Sequence, residues 1–104
     1  MDANEYQHKS ARTASPEMPL INAAMGMCGE SGEFIDVLKK HLFQGHDLDR
    51  DHLAKELGDV LFYVALACTA LDLHMGDVME ANIAKLTRRY PDGFSAERSR
   101  NREA

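Results

Sequence analysis

The chain has 104 residues and a formal net charge of −5, with 44% hydrophobic and 28% charged residues. That length fits one domain, and a domain of this size hides only about 60–70% of its unfolded surface, so the core is thin and another subunit is expected to cover part of the apolar surface. The composition excludes global disorder, and the negative charge argues against a general affinity for nucleic acid.

Helical periodicity dominates, and no segment alternates cleanly enough for a strand. A first, short helix is expected over residues 4–13. Ser15-Pro16-Glu17 is a helix-start signal, with a capping hydroxyl, a first-turn proline and an acid favoured by the macrodipole. The second helix then runs to about Phe43, with Ile21, Met25, Cys28, Ile35, Leu38 and Leu42 on one broad apolar side. Gly26, Gly29 and Gly32 each cost it about 1 kcal/mol relative to alanine. Their spacing points to close approach of another backbone or a ligand. Gly45 suits a left-handed cap at its end.

A third helix is expected over residues 50–71 and a fourth over 75–89, stopped by Tyr90-Pro91-Asp92-Gly93. The polar segment 95–104 is expected to be mobile unless something docks it. The chain reads as one domain over 1–104, with a core of about 17–94, an N-terminal helical segment 1–16 and a polar tail 95–104. Cys28 and Cys68 stand alone in apolar helical patterns, without zinc spacing, and are expected as buried core residues of a reducing compartment. No apolar signal-like stretch opens the sequence. The longest apolar run, residues 60–71, is shorter than the about 20 residues a bilayer span needs. A cytoplasmic protein with no membrane partner is the expectation.

Charge is unevenly placed. Eight of seventeen acids lie within residues 30–59, and six of twelve Lys and Arg residues lie from Lys85 onward. Glu30 and Glu33, three apart, share one side of the second helix, in a stripe that continues through Met27, Phe34 and Val37. Glu56 and Asp59 repeat the arrangement on the third, in line with Leu53, Val60 and Tyr63. Acids belong on the solvent face, and these two pairs border an apolar one. Antiparallel packing of the two helices would gather four carboxylates, which only cations could stabilise, and hard oxygen ligands in this number suit Mg²⁺ or Mn²⁺. The blander reading leaves both pairs exposed beside the core. On the fourth helix Asn82 and Lys85 are also three apart, and could orient a ligand and hold a phosphate oxygen. As isolated residues they would simply be surface polar groups.

Three ordered motifs then carry a resemblance. Gly29-Glu30-Ser31-Gly32-Glu33 is similar to the GExxE element of the MazG-like nucleotide pyrophosphohydrolases, and Glu56-Leu57-Gly58-Asp59-Val60 to their ELGDV element. The 22 residues between Glu33 and Glu56 fit the family's ExxE…ExxD pattern. Residues 81–86 and 89–94 resemble its third block. The likeness implies an all-α, four-helix-bundle-like subunit of the all-α NTP pyrophosphatase type, and a subunit too thin to bury its apolar helices is expected to assemble as a homodimer or homotetramer. The likeness also implies Mg²⁺-dependent hydrolysis of a nucleoside triphosphate (NTP or dNTP) to monophosphate and pyrophosphate, in nucleotide-pool house-cleaning. Glu30, Glu33, Glu56 and Asp59 become catalytic metal ligands, with Mn²⁺ as a possible substitute, and Glu33 the candidate to deprotonate the water. Asn82 and Lys85 become substrate-binding residues. Two rivals remain: a narrower related phosphohydrolase acting on dUTP or phosphoribosyl-ATP, and a non-catalytic helical interaction module that keeps the acidic cluster.

Overall fold

The computed structural model describes residues 1–102, and among these it is all-α with no strand. Helix α1 spans Ala3–Ser10 and runs into a 3-10 turn, Ala11–Thr13. Helix α2 spans Pro19–Phe43, α3 Arg50–Ala70, α4 Met75–Arg89 and α5 Ala96–Arg100.

Local chemistry fixes most of these limits. Asp2 caps α1, its Oδ1 accepting from the Glu5 backbone N–H at 2.8 Å, and Glu5 reaches back to the Asp2 N–H at 3.5 Å. The start of α2 differs from the expected Ser15-Pro16-Glu17. Pro19 occupies the first turn, and Met18 before it adopts a left-handed φ of 42°. A residue preceding proline is disfavoured in the right-handed helical region, so a helix begun at Pro16 would have to break at Met18. At the other end Gly45, with φ of 74°, turns the chain so that the backbone N–H groups of Gln44 and His46 both donate to the Lys40 carbonyl. Asp49 caps α3 through the His52 N–H at 3.0 Å.

Helices α2 and α3 form the main packed unit. Their register is antiparallel, with Gly26 against Tyr63 and Glu30 against Glu56. The face of α2 that packs is the acid-bearing stripe rather than the broad apolar side. Ile21, Met25, Cys28, Ile35 and Leu42 are exposed, Met25 at 70%, whereas Met27, Glu30, Phe34 and Val37 are half-buried and Ala23 is fully covered. The helix carries two apolar faces, and a single chain covers only one. Cys28, expected in the core, therefore lies on the open face, while Cys68 is buried; both are free thiols.

The small core at the other end of α3 comprises Ala65, Cys68 and Met75, with Ala3, Tyr6 and Val64 packed around it. Helix α1 covers this core and also caps α4. Gln7 donates to the Leu73 carbonyl at 2.8 Å and accepts from the Met75 N–H at 2.7 Å, and Asn4 Oδ1 accepts from the Gly76 N–H at 2.9 Å. Two orphan donors of the first turn of α4 are thereby satisfied from another helix. Helix α4 leaves α3 at a bend of 105° and finds its main partner in α1. Its Val78, Met79, Ile83 and Leu86 stay exposed, Ile83 at 62%. The radius of gyration, 16.7 Å, accordingly exceeds the about 13 Å of a compact chain of this length. Among the described residues no single helix is long and apolar enough to cross a membrane.

The tail expected at 95–104 contains α5, tied back by Arg98 Nε–H donating to the Arg89 carbonyl at 2.7 Å. Residues 103–104 lie outside the described residues.

Of the three spaced glycines, only Gly26 meets a close neighbour. A Cβ there would run into the Tyr63 ring, whereas nothing approaches Gly29 or Gly32 within 4 Å. Overpacking costs about 1–3 kcal/mol, and replacing a mid-helix glycine by alanine gains about 1 kcal/mol in propensity. Gly29→Ala and Gly32→Ala are thus expected to raise the melting temperature by several degrees, and Gly26→Ala to lower it. Thermal unfolding of the three variants checks this, and three equal shifts would contradict the packing described.

Candidate metal centre

The paired α2–α3 stripe delivers the acids. One carboxylate oxygen each from Glu30, Glu33 and Glu56 lie within 4.8 Å of one another. Glu56 is buried, at 5% exposure, Glu30 is half-buried and Glu33 is exposed at the rim. Three acids expected from sequence are therefore brought together. Asp59 is exposed, and its carboxylate falls outside that group, yet it lies close enough for its charge to act on Glu30.

Two atoms define the character of the site. Glu30 Oε2 and Glu56 Oε2 are both buried without any hydrogen-bond partner. The carboxyl of Glu30 is held above its ordinary value, chiefly because its protonated form hydrogen bonds to Glu56, then through burial, then through the charges of Glu56 and Asp59. Buried carboxylate oxygens with no donor, converging from two helices, are the arrangement a hard divalent cation satisfies. The residues present fit such an ion.

Sequence reasoning missed His52. Its Nε2–H donates to Glu56 Oε1 at 3.0 Å, so one oxygen of Glu56 is held while the other is buried without a partner. The His52 backbone N–H is held by the Asp49 cap. The signal was present, since His52 and Glu56 are one turn apart on the same helix face. Ligating carboxylates are commonly oriented by such outer partners.

Asn82 and Lys85 do not join this group. Asn82 is exposed and makes no side-chain hydrogen bond among the described residues, while Lys85 is half-buried in a groove with Arg88, Arg89 and α5. Their helix, α4, packs chiefly on α1 instead of on the acid-bearing α2.

The raised pKa of Glu30 has a consequence for metal-free protein. A carboxyl whose folded value exceeds its ordinary 4.5 favours folding below about pH 4.5, and that stability is lost as pH rises through the folded value. Glu56→Gln removes one charge and keeps an acceptor for His52. In EDTA, wild-type protein is expected to lose stability relative to Glu56→Gln as pH climbs from 4.5 toward neutrality. Denaturant unfolding at a series of pH values measures the difference, and a constant difference would contradict the shared burial of the two acids.

Comparisons with known proteins identify the family. The family model described as the MazG nucleotide pyrophosphohydrolase domain matches residues 21–94, which contain all four acids, Asn82 and Lys85. The Gene 37 protein of Mycobacterium phage L5 is 37% identical over 78 residues, covering 71% of this chain and 68% of that protein. No solved structure matches the chain. With more than half its length matched by one domain family, and with a curated relative above 30% identity, the chain belongs to the MazG nucleotide pyrophosphohydrolase domain family.

Proposed function

We propose that the protein hydrolyses nucleoside triphosphates, NTP or dNTP, to nucleoside monophosphate and pyrophosphate, with Glu30, Glu33, Glu56 and Asp59 as the acids of a Mg²⁺ centre that also accepts Mn²⁺. The observation that carries this reading is the pair of buried, partnerless oxygens of Glu30 and Glu56, with Glu33 within 4.8 Å of the same cluster. Membership of the family supports the reaction class.

When bound, the metal supplies charge neutralisation for the phosphates and a lowered pKa for a coordinated water. The protein's own residues do the rest. Glu30 and Glu56 present their free oxygens as ligands, and the His52 N–H keeps Glu56 from rotating away. Glu33, the most exposed of the three, is open to solvent and takes the proton of the attacking water. Asp59 completes the acidic set from the rim. Asn82 and Lys85 contact the substrate's phosphates or sugar. The uncovered apolar faces of α2 and α4 are buried between copies of the chain, so light scattering should give at least twice the 11.6 kDa chain mass, and a compact monomer would refute this part. The setting is cytoplasmic.

Purified protein offered a panel of canonical and modified nucleoside triphosphates is expected to release pyrophosphate from at least one of them, and EDTA is expected to abolish release. Lys85→Ala is expected to raise KM or lower kcat at least tenfold, about 1.4 kcal/mol, with the fold intact. Release of single phosphates, or activity indifferent to chelator, would refute the mechanism. Normal kinetics in Lys85→Ala would remove that residue from the site.

A further inference from the structure

Helix α4 is aimed by side chains that belong to α1. The turn out of α3 is closed on its own side, where the Leu73 N–H donates to the Cys68 carbonyl at 2.8 Å and the Asp72 N–H to the Thr69 carbonyl at 3.1 Å. The start of α4 has no local side-chain cap, because His74, which stands in the capping position, accepts nothing from the first turn. Its caps come from α1 instead, with Gln7 Oε1 accepting the Met75 N–H at 2.7 Å and Asn4 Oδ1 the Gly76 N–H at 2.9 Å. The Gln7 Nε2 amide donates to the Leu73 carbonyl at 2.8 Å and to Thr69 Oγ1 at 3.1 Å. One side chain thus ties the end of α3, the turn and the start of α4 together. Gly76 leaves room for the second cap, since a Cβ there would stand 3.0 Å from Asn4 Oδ1. Helix α1 is seated on the small core through Ala3 and Tyr6, and it lies ahead of residues 21–94, the part that matches the family domain.

We propose that Gln7 and Asn4 are positioning residues of the enzyme, which act through α4 on the placement of Asn82 and Lys85; this rests on the hydrolase reading above. Asn82 and Lys85 lie seven and ten residues beyond Met75, about 10 and 15 Å along the helix axis. A tilt of about 10° at the first turn therefore carries Lys85 through roughly 2.6 Å. A misplacement of about 1 Å is enough to be costly when a group must meet a substrate. Within one chain little else restrains α4, because α1 is its main partner and Val78, Met79, Ile83 and Leu86 are exposed. The acids are held differently, on α2 and α3, whose packing does not involve Gln7 or Asn4. Loss of the two caps disturbs the substrate-binding side chains and leaves the metal centre in place.

The test compares the full wild-type chain with three variants. Gln7→Met/Asn4→Ala removes both caps, and Asn4→Ala alone keeps Gln7 should the double variant not fold. Asn4→Asp keeps an acceptor for the Gly76 N–H and puts negative charge where the α4 dipole favours it. In EDTA and without substrate, hydrogen exchange of the α4 amides should be about tenfold faster in the double variant, with α2 and α3 amides within about threefold of wild type. Asn4→Ala should show the same selective loosening to a smaller extent, and Asn4→Asp should match wild type. The rise of melting temperature with Mg²⁺ should persist in all three. With the triphosphate that wild type turns over fastest, the double variant should raise KM about tenfold while kcat stays within about threefold. Unchanged exchange in α4, equal acceleration in every helix, equal effects of Asn4→Asp and Asn4→Ala, or a fall in kcat at constant KM would overturn the proposal. Exchange and Mg²⁺ melting need no turnover, so a wild type that releases no pyrophosphate defeats the hydrolase reading separately from the aiming of α4.

Discussion

Glu30 and Glu56 each bury a carboxylate oxygen between α2 and α3 without a hydrogen-bond donor, and much of the chain's design follows from that contact. Ionised carboxylates taken out of water are costly unless paired, and two side by side repel as well. A helix pair built for stability alone would place apolar side chains there. Instead Gly26 lets the Tyr63 ring lie close against α2, and His52 fastens Glu56 from one side. The stability given up at the acids leaves a cluster that could hold a cation, set on two helices and open to solvent at Glu33 and Asp59.

The remaining helices divide the labour. Helix α1 adds little core beyond Ala3 and Tyr6, but its Gln7 and Asn4 cap α4 and so fix where that helix points. Helix α4 then carries its basic end away from the α2–α3 packing, and α5 folds back to complete a cationic groove. Acidic and basic clusters thus lie on different helix pairs of one chain. Large apolar side chains stay exposed on both α2 and α4, among them Met25 and Ile83.

How much of this was legible in the sequence depended on whether the cause was local. The end of α2 at Phe43, the whole of α4 and the grouping of Glu30, Glu33 and Glu56 were readable, because periodicity, caps and i,i+3 spacing are properties of short segments. The start of α2 was misplaced by giving Pro16 the role that Pro19 takes, though Met18 before a proline carried the signal. His52 was overlooked although its relation to Glu56 is equally local. Periodicity could not say which of two apolar faces on α2 would pair, since a helix records its faces but not its partners. That is why Cys28 was expected in the core and lies outside it. The docking of α5 depends on Arg98 reaching a carbonyl nine residues away, which no hydrophobic pattern encodes.

The central claim is that the acids of α2 and α3 form one cation site, and melting curves with and without Mg²⁺ test it independently of substrate. Wild-type protein and Glu56→Gln are compared in EDTA and in a Mg²⁺ series at constant ionic strength. A ligand that binds only the native state stabilises it by about 2.7 kcal/mol at a hundred times its dissociation constant. The wild type should show a saturable rise in melting temperature, while Glu56→Gln starts no less stable in EDTA and gains much less. If Mg²⁺ shifts neither protein, or shifts both equally, the buried carboxylates are not a shared metal site.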